Sequence, residues 1–125
     1  MVLPSSNLKP EGIIQILIDE KVNKANGVPT IWLGVYHALK MNPPKEKLAL
    51  EEYLVGGSAL TKSLIEAFDK DFGVKGVQVW GMTETSPLAT VSRLQPKHDT
   101  FSYPEKVAVR ANQGIPLPGV ELMGR

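Results

Sequence analysis

Two short segments carry the residue types that could do chemistry. The first is Gly56-Gly57-Ser58-Ala59, and the second is Trp80-Gly81-Met82-Thr83-Glu84-Thr85-Ser86. Paired glycines let a ligand approach the backbone closely, because no side chain intervenes. A neighbouring hydroxyl and the free N–H groups of a following helix add capacity for an anion. On residue type alone this segment reads more readily as a tight strand-to-helix turn with no ligand. The second segment holds more. Trp80 offers a flat surface on which a base could stack, and Thr83 a hydroxyl donor for phosphate. Glu84 is a hard oxygen ligand of the kind Mg²⁺ prefers. Its bland alternative is a polar helix start, with Thr83 capping and Glu84 near the positive end of the dipole. Both readings stand at this point.

The rest of the chain offers less. Glu51 and Glu52 are adjacent, so at a strand start they point to opposite faces and are expected in solvent. His37 falls among apolar helix neighbours, and His98, between Lys97 and Asp99, is expected in water. There is no Cys, which excludes disulfides and thiolate metal sites. No serine sits in a nucleophile elbow and no Walker-type loop occurs. Basic and acidic residues number 14 and 13, so no basic face for nucleic acid is expected. No apolar run approaches the ~20 residues of a membrane span, and Met1-Val2-Leu3-Pro4 lacks the pattern of a signal peptide. A soluble, cytoplasmic protein is the default expectation.

The elements that must position the two segments follow from period and punctuation. A short strand is expected to end at Leu3-Pro4, with a turn at Ser5-Ser6-Asn7. Pro10 then suits a first helical turn. Ile13, Ile14, Leu17 and Ile18 form a stripe at helical spacing, although Lys9 is a poor cap. A strand is placed near residues 21–25. Val28-Pro29-Thr30 opens a second helix whose broad apolar face is Ile31, Trp32, Val35, Tyr36 and Leu39, and Asn42-Pro43-Pro44 ends it. Tyr53-Leu54-Val55 reads as a buried strand stopping at Gly56-Gly57. Thr61 caps the third helix, Leu60 and Ile65 staple it, Leu64, Ile65, Phe68 and Phe72 face inward, and Gly73 stops it. Val77 to Trp80 is another strand. Residues 93–119 show no stable period and read as loop.

Strand, helix, strand, helix at this spacing predicts an α/β fold of parallel-sheet βαβ units, with ligands beyond the carboxyl ends of the strands. Both segments lie at such ends. The division expected is a partial α/β subdomain over residues 1–92 and a loop-rich continuation over 93–125.

The order Gly56-Gly57-Ser58-Ala59-Leu60, then Trp80-Gly81-Met82-Thr83-Glu84-Thr85-Ser86-Pro87-Leu88, resembles the adenylate-forming superfamily. Within it the chain is most similar to the medium- and long-chain fatty-acyl-CoA synthetases (AMP-forming). Gly27-Val28-Pro29-Thr30-Ile31-Trp32 resembles a stretch upstream in those enzymes, and Gly114-Ile115-Pro116-Leu117-Pro118-Gly119-Val120-Glu121-Leu122 one downstream. The resemblance implies that Gly56, Gly57, Ser58 and Ala59 run beside adenine, Trp80 stands against the base, and Gly81 and Met82 line the nucleotide pocket. It implies that Thr83 contacts the α-phosphate and Glu84 binds Mg²⁺, these two being the catalytic candidates, and that Trp32 and Val79 line an acyl pocket. ATP or AMP, Mg²⁺, CoA and a fatty acid are the implied cofactor and substrates. The family carries Gly between Gln78 and the aromatic, whereas this chain carries Val79, which narrows the acyl channel if that position lines it and otherwise packs into the core.

The resemblance also implies absences. The phosphate loop ending in Lys-Gly, the ribose-binding aspartate and the small domain with its adenylation lysine are not in these 125 residues. The chain is therefore expected to be an internal part of the large amino-terminal domain, inactive alone, with apolar faces or a strand edge that favour self-association. The competing reading is an α/β binding or interaction module without catalysis.

Overall fold

The computed structural model describes residues 1–4 and 8–123. Residues 1–4 carry no strand, contrary to expectation, and the turn expected at Ser5-Ser6-Asn7 lies outside the described residues. Helix α1 (Pro10–Asp19) starts at Lys9 with no side-chain cap and buries Leu17. Strand β1 (Lys24–Gly27) lies slightly later than expected. Helix α2 (Pro29–Met41) buries Trp32, Val35 and Leu39 and stops at Asn42, before the two prolines. Strand β2 (Glu52–Val55) alternates half-buried and buried residues. Helix α3 (Lys62–Phe72) begins where the Thr61 side chain accepts the Leu64 N–H at 3.3 Å, and ends at Gly73 in the left-handed conformation. Strand β3 (Lys75–Gly81) buries Gly76, Val77 and Gln78.

These units form the parallel half of a five-stranded sheet of order β1-β2-β3-β4-β5. Strands β1, β2 and β3 run parallel, with Asn26 opposite Leu54 and Leu54 opposite Val77. The other half was not expected. Strands β4 (Leu88–Val91) and β5 (Ile115–Pro116) are antiparallel to their neighbours, so the sheet is mixed. The loop reading of residues 93–119 is also corrected, because α4 (Tyr103–Ala111) lies within it. That helix has little apolar period: Val107 and Arg110 are its buried residues, and an arginine does not register as core.

One core joins the layers. Trp32 packs on Tyr53 at 4.8 Å between ring centroids, and Tyr53 on Phe68 at 4.5 Å. Val35, Leu39, Val55, Ile65 and Val107 belong to the same buried cluster. Burying each such side chain contributes roughly 1.5–3 kcal/mol. This packing fixes the strand ends from which the two chemical segments emerge.

Candidate functional site

The first segment leaves β2 after Val55. Gly57 adopts φ of 81°, a left-handed backbone that glycine reaches without penalty, and the chain swings outward so that Ser58 and Ala59 are exposed. Leu60 then returns to the core at 2% exposure, directly before the Thr61 cap. Gln78 on β3 meets this loop. Its Oε1 accepts the Leu60 N–H at 2.5 Å, and its Nε2 donates to Ser58 O at 3.4 Å and to Val79 O at 2.9 Å.

The second segment leaves β3 with a register shift between Trp80 and Gly81. A Cβ on Gly81 would lie 1.8 Å from the Pro87 carbonyl oxygen, so only glycine permits the chain to fold back here. The intervening residues make a single 3₁₀ turn, Thr83–Thr85. Thr85 braces it: its Oγ1 accepts the Met82 N–H at 2.9 Å and sits 2.9 Å from Met82 O and 2.8 Å from Pro87 O. With one proton, the hydroxyl donates to one of these carbonyls at a time. Thr83 and Glu84 are exposed, and among the described residues neither side chain makes a hydrogen bond or ion pair. Thr83 therefore does not cap a helix, and Glu84 heads no helix longer than one turn.

Register brings the segments together. Val55 pairs with Gln78, which sets Gly56 beside Val79, and a Cβ on Gly56 would lie 3.2 Å from the Val79 Cγ2. Trp80 (39% exposed) and Met82 (48% exposed) project at the same strand end. Trp32 is not brought to that surface. It is 1% exposed in the core, and its buried Nε1, with no hydrogen-bond partner among the described residues, lies 3.2 Å from where a Gly27 Cβ would stand.

Acid–base machinery is not gathered at the two segments. The perturbed groups lie elsewhere: the hydrogen bond from Tyr36, then Lys40, holds the Asp71 carboxyl below its ordinary range, while that same bond raises the Tyr36 phenol. Burial pushes the Tyr53 phenol up. Among the described residues no three His, Cys, Asp or Glu side chains cluster to hold a metal, which leaves Glu84 as a lone, accessible carboxylate.

Two expectations about peripheral residues are corrected. His98 is not in water but 9% exposed, with its ring 5.0 Å from Phe101 and its Nδ1 accepting the Gln95 N–H at 2.9 Å. Glu52 is half-buried and paired with Arg93 at 2.5 Å, because the chain leaving β4 brings Arg93 to it. Sequence reasoning gave no positioning role to Gln78, and read Thr85 only as a further hydroxyl of the segment, whereas that hydroxyl is spent within the turn. The available signal for Gln78 was a carboxamide between two valines in the buried stretch of a strand.

The sequence profile of the AMP-binding enzyme family matches residues 1–123. The chain belongs to that family. Among curated members it is 41% identical over 123 residues to a 3-methylmercaptopropionyl-CoA ligase of Ruegeria lacuscaerulensis. It is 38% identical over 122 residues to a medium-chain-fatty-acid–CoA ligase of Ectopseudomonas oleovorans, and 36% over 121 to a long-chain-fatty-acid–CoA ligase of Thermus thermophilus. These alignments cover 97–98% of the chain but 22% of each relative. The chain thus spans about a fifth of the length of those AMP-binding enzymes. Its fold is that of solved members: it superposes on an anthranilate CoA ligase with a TM-score of 0.72 at 19% identity, over 94% of this chain and 20% of that one. Among the described residues no helix is long and apolar enough to cross a membrane.

Proposed function

We propose that this chain forms one wall of the adenylation site of a fatty-acid–CoA ligase. The observation that carries the reading is the turn at residues 81–87. Thr85 and Gly81 hold it folded, while the polar groups of Thr83 and Glu84 meet no partner among the described residues. Trp80, half open beside them, supplies the aromatic face.

In this reading Gly56, Gly57, Ser58 and Ala59 run along adenine, and Trp80, Gly81 and Met82 complete the nucleotide pocket. Thr83 donates to the α-phosphate. Glu84 fits Mg²⁺, which habitually takes one or two carboxylates and fills its remaining positions with water and phosphate oxygens. The reaction joins a carboxylate oxygen of the fatty acid to the α-phosphorus of ATP and releases pyrophosphate. The CoA sulfur then attacks the acyl carbon, and AMP leaves. Donors and a cation at the α-phosphate stabilise charge on the transferring group. ATP and CoA as substrates suit a cytoplasmic enzyme. Val79 belongs to the acyl side, whereas Trp32, buried in the core, does not reach it. The chain supplies only part of the machinery and is expected to be catalytically silent alone. The free edge of β1 and the exposed Leu33 and Met41 of α2 favour self-association.

Titration of AMP without metal and of ATP with Mg²⁺ tests the site. Base stacking on an aromatic contributes about 1–3 kcal/mol, so Trp80→Ala should weaken both ligands by roughly tenfold or more. Glu84→Ala should weaken MgATP and leave metal-free AMP unchanged. Equal binding by all three proteins, or none at millimolar ligand, would favour a fold retained without its ligand.

A further inference from the structure

A polar side chain buried in a strand core is costly unless every polar atom is paired, and an apolar residue would fill the same space more cheaply. Gln78 is 2% exposed, between Val77 and Val79, and its carboxamide is fully engaged. The orientation of the amide follows from its partners. Leu60 presents an N–H and requires the oxygen; Ser58 and Val79 present carbonyls and require the two protons of the nitrogen. A flipped amide would set donor against donor and acceptor against acceptor.

The partners belong to different parts of the candidate site. Ser58 and Leu60 bracket Ala59 in the first loop, and the Val79 carbonyl immediately precedes Trp80. Among the described residues no backbone–backbone hydrogen bond reaches Ser58, Ala59 or Leu60. That stretch follows Gly57 in a left-handed conformation, so its own backbone gives it little stiffness. The Leu60 side chain anchors its far end, lying 3.2 Å from where a Gly76 Cβ would stand. Between these anchors, the Gln78 carboxamide is what sets the height of the loop above β3.

We propose that Gln78 is the positioning residue of the nucleotide site, fixing the Ser58–Leu60 backbone relative to Trp80 so that adenine meets a preformed slot. The inference rests on the nucleotide-site reading above and adds a residue that touches no ligand. Hydrogen bonds are directional, so a carboxamide specifies the separation of loop and aromatic, whereas a methionine of similar length only fills the volume. A loop left loose must be ordered at the moment of binding, which weakens affinity without any lost ligand contact.

The test uses the whole chain and three proteins: wild type, Gln78→Met and Gln78→Glu. In wild type the Leu60 amide should be protected from hydrogen exchange and the Ala59 amide should not; equal exchange at the two would overturn the clamp before any variant is made. Gln78→Met should expose the Leu60 amide by about tenfold or more and weaken AMP by a similar factor, with the β2–β3 ladder amides still protected. Gln78→Glu keeps the acceptor for Leu60 and loses the donor for Ser58 and Val79. It should retain Leu60 protection yet still bind AMP more weakly, a split that a general loss of stability would not produce. A wild-type chain that does not bind AMP overturns the nucleotide reading and this inference with it. A wild type that binds, alongside Met and Glu variants that bind equally well, overturns the positioning role alone.

Discussion

Val79 joins two arguments at a single side chain. Its Cγ2 lies 3.2 Å from the position a Gly56 Cβ would take, so it packs over the first glycine of the loop. It is also half-buried, on the strand position before Trp80. If the acyl group enters beside this position, two branched methyls narrow its path. Val79→Gly in the complete ligase should shift the acyl profile towards longer chains, measured as relative kcat/KM over a series of fatty acids. The same change costs stability, roughly 1 kcal/mol for glycine inside a strand. A stability loss with an unaltered chain-length profile would confine Val79 to packing. The residues of the site were unequally legible for a physical reason. Thr83, Glu84 and Trp80 could be named from type and spacing, because their chemistry is their own. Gln78 acts through backbone atoms about twenty residues away, and nothing in a linear reading shows which carbonyl a carboxamide will meet.

Among the elements, α4 shows best why a segment can escape the apolar period. Its inward face is Val107 with Arg110, and the arginine breaks the stripe. What does announce the helix is its start: the Glu105 carboxylate accepts the Ser102 N–H at 2.7 Å and the Ser102 hydroxyl at 2.6 Å, with Pro104 in the first turn. Helices α1, α2 and α3 were legible because aliphatic and aromatic residues recur at helical spacing between clear stops. Strands β4 and β5 were not: β4 buries Ala89 and Thr90 side by side instead of alternating, and β5 has only two residues. The bonds from the Ser102 side chain and then its backbone N–H hold the Glu105 carboxyl below its ordinary value of 4.5. A depressed folded pKa gives stability that is fully present above the unfolded value and lost as pH falls through the folded one. Acidification from pH 6 to below ~4 should therefore lower the melting temperature of wild type by more than that of Glu105→Gln. Parallel acid profiles for the two proteins would mean that the cap contributes nothing to stability.

For the molecule as a whole, the question is what holds the antiparallel half to the parallel half. Helix α4 returns over α3, where the Arg110 guanidinium grips Asp69 with two nitrogens and Tyr103 adds a bond to the same carboxylate at 3.1 Å. Ser92, at the end of β4, donates to Val109 O at 2.5 Å, and Thr90 donates to Gln113 O, so α4 and β4 move together. The Arg110 and Asp69 side chains are 6% and 17% exposed. Water therefore cannot replace a lost partner, and the Arg110 Nε is already without one among the described residues. Asp69→Asn should then cost on the order of 3 kcal/mol, because a desolvated guanidinium is left without its counter-charge. That is a large share of the 5–15 kcal/mol typical of a domain, and it should appear as a lower urea midpoint. The pair Asp69→Leu with Arg110→Met should recover most of the loss, since apolar residues of similar volume remove the burial cost of both charges. If the single variant is silent, Val107 and the Ser92 bond suffice to seat α4. If the single variant is destabilised and the double variant restores the midpoint but not AMP affinity, the ion pair also sets where β4 lies against Trp80, and the whole-molecule clamp reaches the site through Thr90, which pairs with Trp80 in the sheet.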